Sequence, residues 1–134
     1  MRRVRAITGA LLHPLGAYLL HRGLATLPIR VRTQQAGALQ VATWLAEHEA
    51  VDGVYFPGFD DTGVLAAQMR GPGAMVPIHL PGGYQQVRAL IERLRLFTHA
   101  VSLGGVDSLV QHPASLTHRP VAAAARPADG LLRL

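Results

Sequence analysis

Residues 99–120 read HAVSLGGVDSLVQHPASLTHRP. The stretch follows an apolar, β-rich run from Phe97 to Leu103 and holds two glycines, three serines and three histidines, with no lysine and no cysteine. A strand that runs into Ser-Leu-Gly-Gly predicts a turn in which the backbone can come close to something else, because glycine carries no Cβ.

Outward from this point the chain alternates helix and strand. Upstream, Tyr84, Val87, Leu90, Ile91 and Leu94 recur at helical spacing to about Arg95 and form a core-facing stripe, after a Pro81-Gly82-Gly83 turn. Met75 to Leu80 reads as a strand, preceded by the breaker Gly71-Pro72-Gly73. Asp60 or Thr62 is placed to cap a short helix to about Arg70. Val51 to Phe56 reads as a strand closed by Pro57-Gly58. Further back, Thr26 is an N-cap candidate for a helix to about His48, with Val41, Trp44, Leu45 and His48 on one face. Pro14 opens an earlier helix that Gly23 ends, and residues 1–9 form a helix closed by Gly9. Downstream, residues 119–130 read as a loop, and Leu131 to Leu134 begins a strand. There is no internal repeat. The order predicts a small α/β layer with helices packed on a sheet.

The chain has 134 residues, 49% of them hydrophobic, which fits one globular domain rather than disorder. Leu11 to Leu20 is interrupted by His13 and Pro14 and is too short to span a bilayer. The basic start, Met1 to Arg5, lacks the rest of a signal peptide. The expected location is cytoplasmic, with no membrane partner. The absence of cysteine excludes disulfides, a thiolate nucleophile and zinc–thiolate sites. The formal charge is +5 and every cation is an arginine. These are scattered, apart from Arg2, Arg3 and Arg5, so we read them as solvated or interface residues and expect no nucleic-acid partner. The seven histidines, at 13, 21, 48, 79, 99, 112 and 118, show no metal-ligand spacing with nearby acids. His99, Asp107 and Ser102 are the residue types of a hydrolase triad, but no nucleophile elbow surrounds Ser102.

Three stretches taken in order resemble one family. They are Arg22-Gly-Leu-Ala-Thr-Leu-Pro-Ile-Arg30, Val54-Tyr-Phe-Pro-Gly58, and Val101-Ser-Leu-Gly-Gly-Val-Asp-Ser-Leu109 with Thr117-His118 and Gly130-Leu-Leu-Arg-Leu134. The set looks like the C-terminal part of the Cys/Met-metabolism pyridoxal-phosphate enzymes, which include cystathionine γ-lyase, cystathionine γ-synthase and methionine γ-lyase. The resemblance implies the small C-terminal domain of an aspartate-aminotransferase-like fold, with helices on a small, mostly antiparallel sheet. Residues 1–30 would end the large cofactor-binding domain. Residues 31–134 would form the interdomain helix and the small domain, truncated before the family's final helix. It also implies a sulfur amino-acid substrate, γ-elimination or γ-replacement within transsulfuration, pyridoxal 5'-phosphate as cofactor, and a homotetramer built as a dimer of dimers.

By the same resemblance, Ser102 and Arg133 match the residues that hold the substrate α-carboxylate, and Gly104 is close-approach backbone beside them. The residue types suit that role, since a guanidinium fork matches a carboxylate bidentately and an ammonium does not. Val101 stands where cystathionine-using members carry glutamate, and its apolar side chain resembles the methionine γ-lyase end of the family. Arg22 and Arg30 are read as anchors of the interdomain helix, and His118 as a hydrogen-bonded turn histidine. The chain departs from the family in lacking any lysine, the residue that anchors the cofactor. The expectation is therefore a fragment that contributes the carboxylate site and is inactive alone. The alternative is a catalytically inactive remnant or interaction module.

Overall fold

The computed structural model describes residues 2–60 and 63–134, with the side chains of Val64 and Ala66 set aside. The chain divides into two compact units, Met1–Arg32 and Thr33–Leu134.

The first unit is helical. Helix α1 spans Arg2–Thr8, and Gly9 closes it at φ +66°, a left-handed conformation that glycine adopts without a Cβ clash. Helix α2 opens at Pro14, as read from the sequence, but does not stop at Gly23. It runs 33 residues, Pro14–Ala46, past both Gly23 and Pro28. The expected stop at Gly23 and restart at Thr26 are thus corrected, and the reason is local. Pro28 has no N–H to give the carbonyl one turn back, and its ring crowds that turn. The carbonyl that loses its donor is that of Leu24, and side chains bond the carbonyl one residue before it. Arg30 Nη2 donates to the Gly23 carbonyl at 3.0 Å and Thr26 Oγ1 donates to it at 3.4 Å. Thr26 also accepts from Arg30 Nε at 3.3 Å. Thr26 therefore bonds inside the helix rather than capping a new one.

The second unit takes over at Thr33, still within α2. Its buried helical residues are Ala38, Ala42 and Leu45, whereas Trp44 is 62% exposed and edge-stacks on His48. The face that packs is thus the small-residue stripe rather than the Val41–Trp44 side. Strand β1 (Gly53–Val54) leads into a short 3₁₀ turn at Pro57–Phe59, then α3 (Gly63–Gln68). Asp60 lies in extended backbone before α3, and Thr62, the other candidate cap, falls outside the described residues. Strand β2 (Pro77–His79) precedes α4 (Gly83–Arg93), whose Val87 is fully buried and whose Leu90 and Ile91 pack on the core. On its outer face Arg88 Nε donates to Glu92 Oε1 at 2.8 Å, which raises the Arg88 pKa above its ordinary value.

Strands β3 (Thr98–His99), β4 (Leu109–Val110) and β5 (Leu131–Arg133) complete the elements. Strands β1, β2 and β5 form an antiparallel sheet with β2 in the middle. Strands β3 and β4 pair in parallel. A bridge between Gln111, just past β4, and Arg133 of β5 links the two sheets. One reading needs correction and one element was not read. The third strand is only Thr98–His99, since residues 100–108 leave the ladder, and β4 lies in a stretch to which the sequence reading gave no element. The core gathers Ile78, Leu80, Val87, Val110 and Leu132. The final strand is its centre, with Leu132 fully buried between β2 and the bridge. No helix among the described residues is long and apolar enough to cross a membrane.

Truncation at the core should cost far more than truncation on the 101–107 loop. Leu132→Ala should lower the unfolding free energy by about 3 kcal/mol. Val106→Ala, at a site 78% exposed, should change it by less than about 0.5 kcal/mol. Urea denaturation of the two variants checks the contrast.

Candidate functional site

Arg133 ends β5, with Pro77 of β2 on one side and Gln111 on the other. The Gln111 N–H donates to the Arg133 carbonyl at 2.8 Å, and the Arg133 N–H donates to the Gln111 carbonyl at 2.8 Å. Residues that exchange both backbone bonds across an antiparallel ladder project their side chains on one face. The two side chains accordingly meet, and Arg133 Nη2 donates to Gln111 Oε1.

Gln111 is 1% exposed, and each end of its amide is engaged. Guanidinium groups only donate, so the amide oxygen must face Arg133. The amide nitrogen then donates to Thr117 Oγ1 at 2.6 Å. That leaves the Thr117 hydroxyl proton for His118 Nδ1, 3.1 Å away. The His118 N–H in turn donates to the Pro113 carbonyl at 2.9 Å, so this histidine is held in a turn. The result is a directed chain of donors and acceptors ending on the guanidinium. Among the described residues, no carboxylate lies within ion-pair distance of Arg133. Arg133 is thus fixed in place by a neutral group, with its charge uncompensated.

Neighbouring His112 stabilises the same region and is 2% exposed. Its Nε2 lies 3.0 Å from the Asp129 carbonyl, which only accepts, so the proton sits on Nε2. Nδ1 then accepts from the Ser115 hydroxyl at 2.8 Å and the Ser115 N–H at 3.3 Å. Tyr84 of α4 covers the ring at 5.0 Å. This histidine pins the segment that feeds β5 and has no nitrogen left for a ligand.

The Ala100 N–H donates to the Val110 carbonyl at 3.2 Å, and beyond it the chain leaves the ladder. Ser102 follows two residues later in that loop and is exposed. No hydrogen bond joins Ser102 to Arg133. Gly104 sits further along the same loop at φ +85°, where a side chain would be strained. It lines a cavity of about 330 Å³ that Ser102 and Arg133 do not line. His99, Asp107 and Ser102 are joined by no hydrogen bond or ion pair, so no hydrolase triad forms. Arg22 lies over the Tyr18 ring at 5.9 Å and, like Arg30, engages its own helix.

The sequence reading missed Gln111, and it noted Thr117 only as a motif match. The available signal was an amide directly after the apolar pair Leu109-Val110. A polar residue continuing a buried strand must find partners, and the clustered Thr117 and Arg133 are able to supply them.

Comparison with known proteins identifies the family and the fold. The family model for Cys/Met metabolism PLP-dependent enzymes matches residues 1–134. An L-methionine gamma-lyase of Brevibacterium sandarakinum is 58% identical over 137 residues, covering 100% of this chain and 35% of the relative. A cystathione gamma lyase structure from Micromonospora echinospora superposes with a TM-score of 0.90 at 40% identity, covering 98% of this chain and 36% of that one. A cystathionine gamma synthase from Xanthomonas oryzae pv. oryzae gives 0.79 at 46% identity, covering 90% and 33%. The chain thus spans about a third of the length of the relatives it matches. The neighbours are fold type I enzymes, and the small antiparallel sheet with packed helices agrees with that expectation.

Pyridoxal phosphate is the family's cofactor. The residues present do not fit its covalent attachment, because the 134 residues include no lysine. What they do offer is a positioned cation, which suits a carboxylate.

The amide relay has a measurable cost of removal. Gln111→Leu strips a buried donor and acceptor from Arg133 and Thr117. It should destabilise the chain by about 1–3 kcal/mol in urea denaturation.

Proposed function

Since the chain belongs to the Cys/Met-metabolism PLP-dependent enzymes, we propose that it is the C-terminal part of a C–S lyase acting on a sulfur amino acid, and that it supplies the substrate's α-carboxylate site. One observation carries this reading: Arg133 is oriented by the Gln111 amide and has no carboxylate partner among the described residues. A guanidinium held this way presents its remaining N–H groups to a carboxylate arriving in the plane of the fork. In this reading Ser102 adds a hydroxyl from the loop after β3, and the backbone by Gly104, at φ +85°, allows close approach. In this reading residues 1–30 end the large cofactor-binding domain, and residues 31–134 form the interdomain helix and small domain.

The substrate we favour is methionine, cleaved by γ-elimination. Two things support it over cystathionine or an O-acylhomoserine. Val101 is apolar and 52% exposed beside Ser102, so it offers no charge to a second polar end of the substrate. The 58% and 42% identical relatives from Brevibacterium sandarakinum and Porphyromonas gingivalis are both called L-methionine gamma-lyase. The whole enzyme would be a dimer of dimers in the cytoplasm. Taken alone, this polypeptide has no lysine for the cofactor and would be an inactive segment, which keeps the remnant reading as the second one.

Two measurements test the proposal. Pyridoxal phosphate added to the purified chain should produce no new visible absorbance band, and a stable band would overturn the assignment of the anchor to other residues. In the full-length enzyme, Arg133→Ala should raise KM for the amino acid by about tenfold to a hundredfold, from the loss of charged hydrogen bonds. An unchanged KM would end the carboxylate assignment.

A further inference from the structure

We propose that Gln34 is a positioning residue for this pocket: from α2 it holds down the loop that carries Ser102. The inference rests on the reading of Ser102 and Arg133 as carboxylate ligands.

Strands β3 and β4 are parallel, yet the connection between them is only residues 100–108. Parallel neighbours usually need a crossover of a dozen or more residues, often a helix. This short crossover has neither the length nor a helix. It swings out as an exposed loop, with Leu103 74% and Val106 78% exposed, and Gly104 turns it at φ +85°. Its ends are fixed by the bonds from Thr98 N–H to Ser108 O at 2.9 Å and from Ala100 N–H to Val110 O at 3.2 Å.

Between those ends residues 101–108 are exposed. Beneath it is the cavity of about 330 Å³, lined by Gln34, Ala38, Val76, Phe97 and Leu103 among others. Gln34 Nε2 reaches up from α2 and donates to the Gly105 carbonyl at 2.7 Å. A carbonyl only accepts, so the amide nitrogen must be the end facing the loop. The bond falls midway through the crossover, three residues from Ser102. A strut at that point, over a void, sets the height of the loop and with it the direction of the Ser102 hydroxyl. Residues separated by 71 positions in the chain are thereby coupled.

The test uses the pyridoxal-phosphate-loaded full-length enzyme carrying Gln34→Met, which keeps length and loses the donor, and Gln34→Glu, which sets an acceptor against the Gly105 carbonyl. Each should raise KM for the amino acid by about fivefold to tenfold while kcat stays within about twofold, as expected for one lost hydrogen bond acting on binding. Gln34→Glu should have the larger effect. Amide hydrogen exchange, which reports loop order independently of turnover, should speed up in residues 102–107 and not in β5. Unchanged KM in both variants would overturn the proposal, and so would faster exchange spread over the whole chain with kcat and KM both impaired. Arg133→Ala in the same enzyme separates the two claims. A raised KM there with unchanged KM in the Gln34 variants removes Gln34 alone, whereas an unchanged KM in Arg133→Ala removes the carboxylate reading itself.

Discussion

A pair of backbone hydrogen bonds between Gln111 and Arg133, each 2.8 Å, organises the second unit. It joins the parallel β3–β4 pair to the antiparallel β1–β2–β5 sheet, which otherwise share no ladder. It also fixes which face Gln111 and Arg133 share, because slipping the register by one residue would turn the Arg133 side chain to the other face. Fold and site therefore depend on the same contact. Leu132, one residue earlier, is fully buried because Arg133 is locked in register, and the guanidinium meets the amide for the same reason.

The two halves of the candidate pocket are built differently. Arg133 stands on β5, between β2 and the Gln111 bridge, braced by the Gln111–Thr117–His118 relay and by His112, which holds the Asp129 carbonyl at the entry to β5. Ser102 stands on a loop over a cavity, tied from a distance by Gln34. A strand-borne cation gives a fixed reference, and a loop-borne hydroxyl can adjust to the substrate, since loops sample more conformations than ladders do. Binding energy in such a site comes first from the fixed charge, and the loop contributes orientation.

Much of this was legible in the residues, and the failures have physical causes. The strand at Leu131–Arg133, the helix at Gly83–Arg93 and the turn at Gly9 follow from alternation, periodicity and glycine, all local signals. Gly23 misled because α2 runs on through it, with Arg30 and Thr26 bonding the Gly23 carbonyl from within the helix. The strand at Leu109–Val110 was hidden because two residues carry no period, and its pairing is set by β3, ten positions upstream. Gln111 and Gln34 were missed for the same reason. Each matters through a partner distant in sequence, at separations of 22 and 71 residues, and only Gln111, directly after the apolar Leu109-Val110, carries a local sign of burial. Arg133 was singled out because an ordered set of motifs pointed to it. The amide that aims it became visible only in three dimensions.

The choice of a neutral partner for Arg133 has a consequence for binding. A carboxylate at position 111 would orient the guanidinium more strongly, since charge-assisted bonds are roughly twice as strong as neutral ones. It would also neutralise the cation, and a substrate carboxylate would then have to displace or share that partner. An amide holds one N–H group of the fork and leaves the net charge in place. Burial of Gln111 sharpens this, because at 1% exposure its dipole is not averaged by water and its direction is set by Thr117. The pocket thus gains orientation without losing attraction. Asking the same of a lysine would fail on both counts, since an ammonium is a rotating point donor that a single amide cannot aim.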